Sequence, residues 1–231
     1  MDFNFSNLGQ QNFSSNATAH LKPYEIYKVN LTKIEKGELK GTKDPKAVYP
    51  IVTLEFTSTE DKGTFSENLF IPTKEEDMVR PTFKNNAGHE YNRPSRFENF
   101  QFTLMQIVHA LNPAGEEKIK ANASKIKTID QFINLVIQAL AGKDKVETNL
   151  KLVGRTNNGT VYAALPSACG LNKSGEIFPT NFIGDNLFFS NYELTQQKNY
   201  QEAKPTNMDS VEAETPDSND GDDLDLANLE L

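Results

Sequence analysis

Tryptophan is absent from the 231 residues, and cysteine and histidine are scarce. Cys169 stands alone, and His20, His89 and His109 are dispersed. A single cysteine excludes an internal disulfide and gives no sign of a secretory context. One Cys and three scattered His supply no ligand pair at zinc spacing, so no metal or other cofactor is expected. No apolar run reaches the roughly 18 residues of a membrane span. The opening Met1-Asp-Phe-Asn-Phe-Ser lacks the basic and apolar regions of a signal peptide. A soluble, cytoplasmic chain with no membrane partner is the expectation. The patterns GxxxxGKS/T, GxGxxG, HExxH and GxSxG are all missing. The many carboxylates have no conspicuous acid–base partner, so the chain is not expected to be an enzyme.

Basic residues are missing from the last 27 positions. Residues 205–231 hold nine of the 32 acidic residues and none of the 24 basic ones, which leaves residues 1–204 with a net charge of about +1. A formal charge of −8 therefore describes a near-neutral body joined to an acidic arm. Such an arm can cover a basic groove on its own body or reach other proteins. Asn219 to Asp225 is a faint calcium-loop pattern, but it lacks the Glu at the twelfth position and flanking helices.

Three regions follow from the pattern. Residues 1–20, rich in Asn, Ser and Gln around Phe3, Phe5 and Phe13, read as a flexible arm or a short pairing segment. Residues 21–194 read as one domain, and residues 195–231 as a disordered acidic tail.

Within the domain, Tyr27, Val29 and Leu31 alternate, as do Val52, Leu54 and Phe56; Phe65, Leu69 and Ile71 follow on one parity with Glu67 as an exception. Gly37 and Gly41 flank a Lys-rich turn, and Asp61-Lys-Gly63 is a second turn. Residues 21–72 thus predict three antiparallel strands. Residues 73–98 show no period and read as a long loop, functional or disordered. A helical insert is expected at about 99–142. Phe100, Leu104, Ile107, Val108 and Leu111 mark one helix, stopped by Asn112-Pro113. A polar helix over 115–127 follows. Thr128 then opens a last helix through Thr128-x-x-Gln131, with Gly142 at its end. Residues 146–194 return to β. Asn157-Asn-Gly159 predicts a hairpin, and Phe178, Phe182, Phe188, Phe189 and Tyr192 mark a further strand or two. The fold class is mainly β with a helical insert, an α+β chain. Strands, then helices, then strands is the order of an OB-fold-like antiparallel barrel, a fold whose strand face binds single-stranded nucleic acid.

The positive functional signal is interleaving of basic and aromatic residues. Lys and Arg track phosphates, and rings stack on bases for roughly 1–3 kcal/mol each. The candidates are Tyr24, Tyr27, Lys28 and Lys33 on the early strands; Arg80, Phe83, Lys84, Tyr91, Arg93, Arg96 and Phe97 in the long loop; and Lys151, Arg155 and Tyr162 later. The loop cluster carries most weight, because no core period explains its aromatics. In the tail, Asp222, Asp223, Leu224, Asp225, Leu226, Leu229 and Leu231 alternate acid with leucine, which makes a short docking peptide.

With the strand-rich segments 21–72 and 146–194 and the acidic tail 205–231, the chain resembles single-stranded DNA-binding proteins of bacteriophages. The opening Met1-Asp-Phe-Asn-Phe-Ser-Asn is similar to those of small phage replication proteins. That resemblance implies an OB-fold core, sequence-independent binding of single-stranded DNA during replication or recombination, and tail contacts with polymerase, helicase-primase or recombination proteins. Tyr and Phe would stack on bases in place of the missing Trp. The tail is then expected to lie over the groove until DNA displaces it. Self-association would use the N-terminal arm or the helical insert, neither of which shows a heptad repeat. The rival expectation is a phage structural or assembly protein of scaffold type, without nucleic-acid binding. A small magnesium nuclease is a third reading.

Overall fold

The computed structural model describes residues 19–41, 44, 46–61, 63–84 and 88–203. The chain is mixed α/β, with a mostly antiparallel, unclosed main sheet and, among the described residues, four α-helices. The tail residues Asp222 to Leu231 and nearly all of the N-terminal arm lie outside the described residues. No described helix is long and apolar enough to cross a membrane.

Strands β1 (Glu25–Lys40), β2 (Val48–Ser58) and β3 (Thr64–Phe70) form an antiparallel meander, as the alternation predicts. The β1–β2 turn falls later than the glycine spacing indicates, because β1 runs through Gly37 and pairs with β2 as far as Lys40–Val48. Strand β6 (Glu147–Asn157) returns beside β1 and carries β7 (Thr160–Ala164), giving the order β3-β2-β1-β6-β7. The first four of these strands are arranged as a Greek key. The β6–β7 hairpin turns through Asn158 at φ 46° and Gly159 at φ 81°, the left-handed pair that a two-residue type I′ turn requires.

The β3 edge does not pair with β7 along a ladder. Instead the Glu67 carboxylate reaches across, accepting from the Leu165 backbone N–H at 3.4 Å and lying 3.7 Å from Arg155. Burial raises the Glu67 pKa above its usual value, against the pull of Arg155 and that backbone hydrogen bond. The apparent break in the β3 pattern is therefore the residue that spans the open side of the sheet.

The insert between β3 and β6 supplies α1 (Arg96–Leu111), α2 (Pro113–Ala121) and α3 (Ile129–Leu140). It spans 96–140 rather than 99–142. Ser95 caps α1 and forms a capping box with Glu98, a signal five residues ahead of the first stripe residue, Phe100. Asn112 ends α1 and caps α2, with Pro113 in the first turn. The polar helix is shorter than 115–127, since a 3-10 turn takes over at Ala123–Lys125. The predicted Thr128–Gln131 capping box opens α3. Leu104, Ile107, Val108, Ile133 and Val136 meet Val29, Leu54, Phe56, Leu150 and Leu152 in one core.

The long loop, expected to lack structure, contains a 3-10 turn (Glu75–Met78) and a hairpin of β4 (Thr82–Lys84) and β5 (Glu90–Asn92). Near the end of the domain β8 (Cys169–Leu171) pairs with β9 (Ile177–Pro179). Of the five aromatics expected to mark late strands, only Phe178 lies in one; Phe182 is fully buried beside β6, and Tyr192 belongs to a helix. That helix, α4 (Asn191–Ala203), corrects the expectation of disorder from residue 195. Ser190 and Glu193 exchange side-chain-to-backbone hydrogen bonds at its start. Glu193 then pairs with Lys151, and Gln197 donates to the Tyr24 carbonyl at 2.8 Å. These tertiary bonds hold a helix that buries no apolar stripe of its own.

Candidate nucleic-acid interface

The β4–β5 hairpin gathers most of the loop candidates. Its register places Phe83 opposite Tyr91 and Lys84 opposite Glu90. Cross-strand partners share a face, so the two rings meet with centroids 5.9 Å apart. Arg93 follows immediately and lays its guanidinium 4.5 Å from the Phe83 centroid and 5.6 Å from that of Tyr91. Its Nη2 also donates to the Tyr91 hydroxyl at 3.1 Å. The Tyr91 ring is 40% exposed. A two-stranded hairpin is marginal by itself, and its base is tied down by Arg93 N–H donating to the Pro81 carbonyl at 3.0 Å.

Arg80 and Arg96 brace that base. The Arg80 guanidinium forks onto Glu98, with Nε at 2.9 Å and Nη2 at 2.6 Å, while Nη1 donates to the Gly175 carbonyl. Those bonds, with the Ser95 cap, hold the Glu98 carboxyl below its usual pKa despite partial burial. Arg80 is thus engaged in positioning. Arg96 is more open, 3.4 Å from Asp77. Phe97 is half-buried in the first turn of α1. Both Arg96 and Phe97 belong to that helix, not to the loop.

A second aromatic pair was missed by the sequence reading. Tyr49 and Phe70 stand on the face of the main sheet opposite the helices, centroids 6.0 Å apart and edge to face, each 37% exposed. Exposed Lys40 and Lys46 flank the nearby β1–β2 turn. Strand parity was the available signal. Val52, Leu54 and Phe56 point inward, so Tyr49 points outward; Phe65 and Leu69 point inward, so Phe70 points outward.

The remaining candidates divide. Arg155 and Tyr162 are register partners on β6 and β7, with Tyr162 53% exposed. Lys28 and Lys33 are exposed and paired with Glu60 at 3.1 Å and Glu35 at 2.7 Å. Lys84 pairs with Glu90 at 3.2 Å. Exposed pairs of this kind are held weakly and are screened by water, so a phosphate can take the carboxylate's place.

Three candidates are structural, and their assignment as stacking or phosphate-binding residues is corrected. Tyr27 is buried, its hydroxyl accepting from the Lys22 N–H at 2.8 Å, and burial drives its pKa upward. Tyr24 is buried against Tyr200 of α4 and against Gly154, where a Cβ would lie about 2.5 Å from the Tyr24 ring. Lys151 is 8% exposed, held by Glu193 at 3.0 Å and by the Phe188 carbonyl at 3.1 Å. Burial of Lys151 follows from α4, which the sequence reading did not place.

Cys169 is also buried, and burial pushes its thiol up to about 11, with Glu98 adding to the rise and Arg80 opposing it. His109 is exposed, its Nδ1 2.7 Å from Glu116. Hydrogen bonds from Lys120 and His109 outweigh partial burial and keep the Glu116 pKa low.

No protein-family model, curated protein or solved structure matches the chain.

Proposed function

We propose that this chain is a sequence-independent single-stranded DNA-binding protein with an OB-like body. It covers single strands during phage DNA replication or recombination and recruits replication proteins such as polymerase or helicase-primase through residues 205–231. The observation that carries the reading is the Phe83–Tyr91 pair under the Arg93 guanidinium on a surface hairpin, joined by a second, solvent-facing aromatic pair, Tyr49–Phe70. Every base has a π-face, so stacking on such rings is indifferent to sequence. The strand order supports the OB-like reading. Three meander strands, a helical connection and two returning strands leave the sheet open between β3 and β7, as in a five-stranded, partly open Greek-key barrel.

Fluorescence anisotropy of labelled oligo(dT) with the full chain at two salt concentrations tests this. Salt-weakened binding is expected, since neutralised phosphates release counterions. Absence of binding at low salt would overturn the reading.

One observation favours a scaffold-type assembly protein instead. Lys28, Lys33, Arg80, Lys84, Arg96, Lys151 and Arg155 all have carboxylate partners. A surface neutralised in this way suits protein contacts as well as phosphates. The same titration followed by analytical ultracentrifugation separates the two readings. The assembly protein would form large complexes with itself and ignore oligo(dT).

A further inference from the structure

The helical insert carries a shallow groove of about 330 Å³ between the turn after α2 and the helix α3. Ile126 and Leu135, both half-buried, give it an apolar floor. Exposed Asn134 and Gln138 place amides along one side, and Lys125 stands on the rim. On α3 this lining is a second stripe, Gln131, Asn134, Leu135 and Gln138, at helical spacing and distinct from the core stripe of Phe132, Ile133, Val136 and Leu140. None of the lining comes from the main sheet or from the β4–β5 hairpin.

The charged residue that lines the groove is a lysine, Lys125. Lys118, Lys120, Lys125 and Lys127 fall in a stretch with no acidic residue from Lys118 to Ile129. Lys120 pairs back to Glu116 at 2.9 Å. Lys125 instead donates to the Asn122 side chain and Lys127 to the Ser124 carbonyl, both neutral acceptors. The chain contains one segment of complementary make-up. Asp220, Asp222, Asp223 and Asp225 surround Leu224 and Leu226, without a single cation. The 16 residues between Ala203, where α4 ends, and Asp220 reach about 55 Å when extended. A domain of this size has a radius of gyration of only about 16 Å, so its own groove is in range.

We propose that the groove between α2 and α3 is the resting site of the chain's own acidic tail, with Leu224 and Leu226 on Ile126 and Leu135 and the aspartates facing Lys125 and Lys127. Leucines supply buried apolar area, and the lysines fix direction and make docking salt-sensitive. Because the linker holds the segment near the groove, a weak contact suffices. The inference stands apart from DNA binding. It moves the tail's resting place from the DNA-binding face, where the sequence put it, to the helical insert. A replication partner that takes the leucines would then compete with the groove and not with DNA.

The test uses the full chain with Ser218→Cys carrying a nitroxide. Cys169 is buried and should escape labelling. In the ¹⁵N-labelled protein, the amides of Ile126, Asn134, Leu135 and Gln138 should lose most of their intensity at low salt. They should regain it in Leu224→Ser/Leu226→Ser and in Lys125→Glu/Lys127→Glu, and lose it again when the latter is combined with Asp222→Lys/Asp223→Lys. These positions are exposed or lie in the tail, so the fold is left intact. Broadening centred on Phe83, Tyr91, Tyr49 or Phe70 would overturn the proposal in favour of a tail lying over the DNA-binding face. So would broadening spread evenly over the surface. Broadening of an unlabelled-tail ¹⁵N chain mixed with spin-labelled ¹⁴N chain would overturn it in favour of a second copy's tail.

Discussion

Lys151 on β6 and Lys84 on the β4–β5 hairpin are the same residue type, each read from the sequence as a phosphate-contact candidate. Lys151 is enclosed: Glu193 holds its ammonium, the Phe188 carbonyl accepts a further bond, and the Phe189 ring centroid lies 5.6 Å away. Lys84 is open, with a carboxylate partner as exposed as itself. The difference comes from α4, whose docking turns one lysine into a structural strut. A basic–aromatic pattern thus locates charge, but a distant element decides whether the charge is available.

The largest effect expected from this comparison is at Lys151. Lys151→Ala strands Glu193 and frees α4, and breaking such an enclosed pair should destabilise the protein by about 3 kcal/mol. Thermal unfolding and loss of helical circular dichroism would measure it. Oligo(dT) affinity at a temperature where the variant stays folded should hold. A variant that loses DNA affinity with no loss of stability would put Lys151 back in the binding surface.

Next come the two aromatic pairs. Phe83→Ala and Tyr91→Ala should each weaken oligo(dT) binding by roughly 1–3 kcal/mol with little change in melting temperature. Tyr49→Ala and Phe70→Ala should act in the same way, as anisotropy can record. If both pairs proved silent, neither aromatic site would be a stacking platform.

A smaller effect attends Glu98. Its pKa is depressed from the ordinary 4.5 by Arg80, so its contribution is complete above that value and is lost as the pH falls through its lower, folded value. Glu98→Gln should cost roughly 1–2 kcal/mol at neutral pH. It should also flatten the acid limb of a melting-temperature profile below the ordinary carboxylate value of 4.5. An unchanged acid limb would show that the Arg80–Glu98 brace contributes nothing.

Smallest of all, Lys28→Ala and Lys33→Ala should leave the melting temperature essentially unchanged, since both ion pairs are exposed. If either lysine meets a phosphate, its loss should reduce the slope of log affinity against log salt by about 1.

Much of the fold was legible because it rests on local signals. Strand alternation gave β1 to β3, Asn157-Asn-Gly159 gave the β6–β7 hairpin, and the Thr128 capping box opened α3 where expected. What escaped the sequence depends on tertiary contacts or on short signals. Residues 191–203 carry no apolar stripe, and they are held as a helix by bonds to Lys151 and Tyr24 and by the Tyr24–Tyr200 ring contact. The β4 and β5 strands have three residues each, too few to show a period. The hairpin's aromatics were found in the candidate site for lack of a core explanation. Tyr24 and Tyr27 fell out because alternation alone does not tell a buried tyrosine from an exposed one, and Tyr49 and Phe70 were overlooked although strand parity already pointed them outward.

The central claim, that the two surface aromatic pairs form the DNA-binding face, is tested most directly by mapping. Oligo(dT) would be added to the ¹⁵N-labelled full chain and amide shifts followed. Shifts concentrated on Tyr49, Phe70, Phe83, Tyr91 and Arg93, with Tyr27 and Lys151 unmoved, are the expected result. Shifts confined to other surfaces, or none at all, would contradict the account.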